Sequence, residues 1–255
     1  MAVMRKKPES SETYTFVNDA ITKTEALENF MIQLNSAAQV TISNQTQRTD
    51  TTGYIYADKE ADLLYAYVNT KSISSANPEA DFDVTVALHS DGTQVYDNSI
   101  GKDVPVDMTC EEFEAIVGEY GLYHYEEQNV ISVKFNENQM EDFENSGNIT
   151  VKLSTPGDKV LTSYAQKMEE IAEEPVDKKD LKVIEADVIY AVYEEMVVSQ
   201  SYRFGVEYTR TNGETIQYLA SSEVTFTDNA NQNDYEYIIS ETEDGTQTTK
   251  EQKED

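Results

Sequence analysis

From Phe82 to Leu88 every second residue is apolar (Phe82, Val84, Val86, Leu88), and the opposing positions carry Asp81, Asp83, Thr85 and His89. A chain with that two-residue period settles as a strand with one dry and one wet face. The period returns along most of the sequence: Phe30, Ile32 and Leu34; Val40 and Ile42; Tyr54 and Tyr56; Leu64, Ala66 and Val68; Ile184 to Val192; Phe204, Val206 and Tyr208; Ile216 and Tyr218; Val224 and Phe226. Asp58 to Ala61 reads as a turn, and Asp91-Gly92 and Asn212-Gly213 as hairpin signals, because Gly accepts the positive φ of a tight turn. Val130–Phe135 and Ile149–Leu153 read as further strands, and the whole stretch from Leu181 to Ile239 as antiparallel strands.

The pattern turns helical in three or four places. Residues 12–29 carry Phe16, Ala20, Thr24 and Leu27 at spacings of four and three. Thr109-Cys110-Glu111-Glu112 is a capping box opening a short helix with Phe113, Ile116, Val117 and Tyr120, closed by Gly121. Glu137 to Asn145 suggests a helical turn. After the break Thr155-Pro156-Gly157-Asp158, the residues Val160, Leu161, Tyr164, Met168 and Ile171 mark one face of a helix ending near Glu174-Pro175. The expected organisation is a disordered leader over 1–11, one α+β domain over 12–240, and an acidic disordered tail over 241–255. The expected fold is a large curved antiparallel sheet, an open half-barrel, with helices on its concave face.

Composition bounds the function more than it states one. The chain of 255 residues has 49 Asp+Glu against 19 Lys+Arg, a net charge of −30. Such a charge repels phosphate backbones and no basic patch offsets it, so nucleic acid is not an expected partner. Exposed carboxylates keep a Tyr-rich sheet in solution and guard its edges. No apolar run reaches the roughly 18–20 residues of a membrane span. Arg5-Lys6-Lys7 resembles a signal peptide's basic start, but polar residues follow where its apolar region belongs. One Cys fits an exported bacterial protein and a cytosolic one alike.

Chemistry-bearing motifs are sparse. The two His, His89 and His124, share no ligand spacing, no acidic calcium loop occurs, and no phosphate-cradling or nucleophile-elbow motif is present. Cys110 lies in the first turn of a helix, where the dipole favours a thiolate, but a Cys110–His124 pair has no supporting signature. Neither an enzyme, a metal site nor a cofactor is expected. The tyrosines Tyr54/Tyr56, Tyr65/Tyr67, Tyr123/Tyr125 and Tyr235/Tyr237 are all two apart, placing both rings of each pair on one sheet face. Such pairs serve either as cross-strand ladders or as the lining of a groove.

The element order resembles the LolA/LppX-like lipoprotein-carrier fold of bacterial envelopes, and in particular the Gram-positive lipoproteins of unknown function that share it. The resemblance is carried by Phe16 to Phe30, with Ala20-Ile21-Thr22-Lys23-Thr24 standing for that family's A-x-x-K-T-like segment. Tyr54-Ile55-Tyr56, Leu63 to Asn69, Thr109 to Tyr120 and the closing run Val224 to Asn229 also match. It implies a cavity between sheet and helices for an acyl chain or similar ligand, and a place in the cell envelope or at the cell surface. Such lipoproteins begin with a lipobox Cys, whereas the single Cys here is Cys110, so the anchor is either removed or lacking. The apolar faces nominated as cavity lining are Phe82, Val84, Val86 and Leu88; Val160, Tyr164 and Met168; and Val206, Tyr208, Ile216 and Tyr218. The same residues make an ordinary dry core if the helices sit tightly. Two functions follow as expectations: a non-enzymatic extracytoplasmic carrier of a lipid-like ligand, or a cell-surface module with a solid core that binds a protein partner.

Overall fold

The computed structural model describes residues 10–75, 77, 79, 81–118, 120–135 and 146–240. In chain order its elements are α1 (Ser10–Glu25), β1 (Asn29–Ile42), β2 (Gln45–Asp58), β3 (Leu63–Ser74), β4 (Phe82–Ser90), β5 (Val95–Asp97), β6 (Val104–Pro105), α2 (Cys110–Gly118), β7 (Val130–Phe135), β8 (Ser146–Leu153), α3 (Asp158–Ala172), β9 (Lys182–Tyr193), β10 (Met196–Thr209) and β11 (Thr215–Asp228). A fourth helix, α4, covers residues 232–240.

The strands form one open antiparallel sheet in the order β6-β5-β4-β3-β2-β1-β11-β10-β9-β8-β7. The chain starts at the centre and meanders outward to β6. It then passes to the opposite edge at β7 and meanders back until β11 pairs with β1, from Phe30↔Asp228 to Ile42↔Ile216. That last pairing makes two meanders one sheet. The curved α+β architecture read from the alternation is the architecture found.

Because the register is continuous, one parity of each strand faces the helices. Even positions of β1, β3, β4 and β11 share that face with odd positions of β2. Two core clusters lie on it. The larger packs Val17, Ala20 and Ile21 of α1 and Tyr164, Ala165, Met168 and Ala172 of α3 against β8–β11. The smaller packs Phe113 and Val117 of α2 against Ile32, Leu34, Ile55, Ala66 and Val224. Gly53 supports the latter, since a Cβ there would lie 2.4 Å from the Tyr67 carbonyl oxygen. The capping box is formed: the Glu112 backbone N–H donates to Thr109 Oγ1 at 3.1 Å and the Thr109 N–H to Glu112 Oε2 at 2.8 Å.

Several expectations change. The buried face of α1 is Thr13, Val17, Ala20, Ile21 and Thr24, with Phe16 only half-buried at its margin. Thr24 is there because its hydroxyl accepts from the Val197 backbone N–H at 2.8 Å, fastening α1 to β10. The closing run of strands ends at Asp228, and residues 232–240 are helical. So Tyr235 and Tyr237 are not a sheet pair: Tyr235 is buried and Tyr237 is exposed. Tyr123, His124 and Tyr125 lie in an irregular segment, not a strand. Buried Gln200 holds that segment, accepting from the Tyr123 N–H at 2.7 Å and donating to its carbonyl at 3.0 Å. Ser10 and Ser11 already belong to α1; the rest of the expected leader except Ser10 and Ser11, the helical turn at 137–145 and the tail at 241–255 lie outside the described residues.

Candidate functional site

On the helix-bearing face α2 covers the Leu34–Ile55–Ala66 end of β1–β4, and α3 lies beside β11. Among the described residues no helix lies over the opposite ends of β1–β4. A cleft of about 510 Å³ opens there, lined by Ala38, Val40 and Ile42 of β1, Gln47 and Thr49 of β2, Ser74 of β3, Phe82 of β4, Lys167 and Ile171 of α3, and Tyr218 of β11. From Phe82 the apolar row continues along β4 through Val84 and Val86, with the three residues 45%, 50% and 43% exposed. A strand that presents three large apolar side chains to water on its helix-facing side has an unfilled face.

The floor of this trough is polar and neutral. Thr49 Oγ1 and Gln47 Nε2 donate to Ser72 Oγ at 3.3 and 3.2 Å, and the Thr51 and Thr70 hydroxyls lie 3.3 Å apart. Among the described residues no Asp or Glu lines the cleft, in a chain with 49 of them. Its one charged lining residue, Lys167, is paired with Glu170 at 3.0 Å. Burial pushes the Tyr218 phenol up, so it stays a neutral donor. An apolar wall, a hydroxyl floor and no acid suit an uncharged, largely apolar chain.

The nominated residues divide into groups. Phe82 and Tyr218 line the cleft, and Val84 and Val86 extend its wall. Leu88 packs under α2. Met168, Val206 and Ile216 are sealed in the core at 0% exposure, and Tyr208 is buried with its hydroxyl donating to Glu174 Oε1 at 3.0 Å. These line neither this cleft nor the next; they pack with Ala165 and Ala172 in the larger core cluster. Val160 and Tyr164 line a second cleft of about 470 Å³ at the start of α3, with Tyr123, Lys159, Tyr202 and Phe204. Val40, Ile42 and the Thr/Ser floor were not nominated, although the alternation of β1 already placed Val40 and Ile42 on the Leu34 face.

The tyrosine pairs of β2 and β3 face the other way. Tyr56 and Tyr67 are buried beneath α4 with Ala230 and Tyr235, and Met31, Tyr54 and Tyr65 pack around them. At that end the face is a covered core and not an open groove. His89 is stacked between the rings of Tyr65 and Tyr96, 5.1 Å from each. His124 Nε2 meets Glu25 Oε1 at 2.6 Å, whereas Cys110 Sγ accepts from Ser90 Oγ at 3.1 Å. Each thus has a partner other than the one a Cys110–His124 pair would need. Among the described residues no three His, Cys, Asp or Glu side chains cluster as metal ligands, and no helix is long and apolar enough to cross a membrane.

No family model and no curated protein sequence matches the chain, so family models add nothing to the resemblance to LolA-like carriers. Among solved structures, lipovitellin, in a study of its lipid–protein interactions, aligns at 10% identity and a TM-score of 0.36. It covers 80% of this chain, which spans only 26% of that one. A DUF1329-family protein from Desulfovibrio piger aligns at 6% identity and a TM-score of 0.19, covering 87% of this chain and 92% of that one. An acyl-ACP thioesterase from Bacteroides thetaiotaomicron aligns at 8% and 0.17, covering 83% of each. Likenesses this remote establish neither a shared fold nor a shared function.

Proposed function

We propose that this protein is a non-enzymatic, extracytoplasmic binding protein that holds a hydrophobic or amphipathic, lipid-like ligand in the trough between β1–β4 and α3. The observation that carries the reading is the acid-free cleft continuing into the exposed row Phe82, Val84 and Val86. Covering that row removes apolar surface from water at about 25 cal/mol per Å². The hydroxyl floor accommodates a ligand's polar groups without a charge to neutralise. Titration with N-phenyl-1-naphthylamine, an uncharged fluorescent amphiphile, tests it. The expected result is saturable micromolar binding that falls about tenfold, or about 1.4 kcal/mol, in Val84→Asp while circular dichroism stays unchanged. No uptake by the wild-type protein refutes the reading.

One observation favours the solid-core interaction module instead. The interior around Met168, Val206 and Ile216 is closed, so the trough is a surface feature rather than an enclosed chamber. On that reading the probe is not taken up.

A further inference from the structure

The second cleft, at the N-terminus of α3, has its own chemistry. Gly157 is the N-cap and offers no side-chain cap, and the first bond within the helix is Leu161 N–H to the Gly157 carbonyl at 3.1 Å. The backbone N–H groups of Asp158, Lys159 and Val160 therefore have no partner within the helix, and all three residues line the cleft.

A second observation is independent of the helix terminus. Tyr164 lines the same cleft, is only 8% exposed, and its hydroxyl has no hydrogen-bond partner among the described residues. Burial raises its pKa well above the ordinary phenol value, so it persists as a neutral O–H donor. Its oxygen is not sealed from solvent, so the hydroxyl is open to the cleft, where a ligand oxygen can accept from it.

Two carboxylates, Asp158 and Glu126, line the cleft beside these donors, and only the first is paired with a cation. Lys178 pairs with Asp158, and the Gln128 and Asn129 amides donate to Glu126 at 2.8 and 3.3 Å. Lys159 has no ion-pair partner among the described residues. Beyond the polar end, the walls are the rings of Tyr123, Tyr202 and Phe204, with Tyr202 and Phe204 stacked at 4.6 Å. The Tyr164 ring meets Tyr218, a lining residue of the trough, edge to face at 4.9 Å. From Val160 to Ile171, which lines the trough, α3 rises roughly 16 Å.

We propose that this cleft holds the carboxylate of a long-chain carboxylic acid, between Tyr164, Lys159 and the first turn of α3, with the chain running along α3 toward the trough. It rests on the reading that the trough takes an amphiphile. Displacement of bound N-phenyl-1-naphthylamine by dodecanoate and by methyl dodecanoate tests it. Dodecanoate is expected to bind at least tenfold more tightly than its ester. Tyr164→Phe and Lys159→Ala should each remove most of that preference while leaving the ester's affinity within twofold. Equal affinity of acid and ester in the wild type, or a preference that survives both substitutions, overturns the carboxylate site and leaves the trough standing. If the wild type takes up no probe and neither dodecanoate compound, the trough reading falls and this inference with it.

Discussion

Among the described residues, the fully sealed hydroxyls sort into those that hold the molecule together and one, that of Tyr125, that does not. Tyr190 donates to the Tyr123 carbonyl at 2.7 Å, and Thr24 accepts from Val197 N–H at 2.8 Å and donates to the Ala20 carbonyl at 3.0 Å. Tyr125, only 5% exposed, has a hydroxyl with no partner among the described residues. Thr24→Val should therefore lower stability by about 1–3 kcal/mol, because it strands a buried N–H. Tyr125→Phe should be neutral or stabilising by about 1 kcal/mol, because it removes an unmatched group. Urea denaturation measures both, and a large loss in Tyr125→Phe would contradict the assignment. Asp91 gives a pH signature. Its side chain accepts from the Thr93 hydroxyl and from the Thr93 and Gln94 backbone N–H groups, which lowers its pKa from 3.8 to about 2. The folded value is the lower one, so its stabilising effect is complete above pH 4 and disappears as the pH falls through about 2. Stability measured from pH 5 to pH 2 should fall less steeply in Asp91→Ala than in the wild type.

Most elements announced themselves through periodicity, and the exceptions have physical causes. The hairpins β1–β2 and β9–β10 turn on Ser43-Asn44 and Glu194-Glu195, all with positive φ. Neither pair contains the glycine that marks such a turn in a sequence, so the sequence does not signal them. Glu194 occupies a strained left-handed position, and Glu194→Asn should raise stability by a few tenths to about 1 kcal/mol. A thermal shift of the variant reads this, and a lowered midpoint would count against it. Helix α4 stands where a strand is expected, because Tyr235, Tyr237 and Ile239 alternate like a strand in too short a run to show a helical repeat. Its role is tertiary: Tyr235 packs on Tyr56 and Tyr65, with ring centroids 6.3 and 5.6 Å apart. Tyr235→Ala should cost about 3 kcal/mol and expose Tyr56 and Tyr67, giving a rise in binding of an environment-sensitive dye. No change in either would mean that α4 does not seal that face.

At the scale of the whole molecule, the sheet joins two meanders through β1–β11, and α1, α2 and α3 cover one face of it unevenly. The strands and the parity of each were legible from residues such as Phe82 to Leu88. Which apolar residues remain open was not, because that depends on where α2 and α3 end over the sheet, and periodicity does not encode a helix's position. Hence Met168, Val206 and Ile216 proved to be core, while Val40, Ile42 and the hydroxyls of Thr49 and Ser72 join Phe82 and Tyr218 at the trough. Among the described residues, no acidic side chain lines that trough. The account rests on the uncovered end of β4 being a ligand surface, and the absence of Trp from the chain allows a direct test. Phe82→Trp places a single indole at the mouth of the cleft, and Tyr237→Trp places one on the exposed side of α4 as a control. On titration with methyl dodecanoate, a saturable blue shift of emission in Phe82→Trp and none in Tyr237→Trp is the predicted result. Unchanged emission in both, or equal shifts in both, would contradict it.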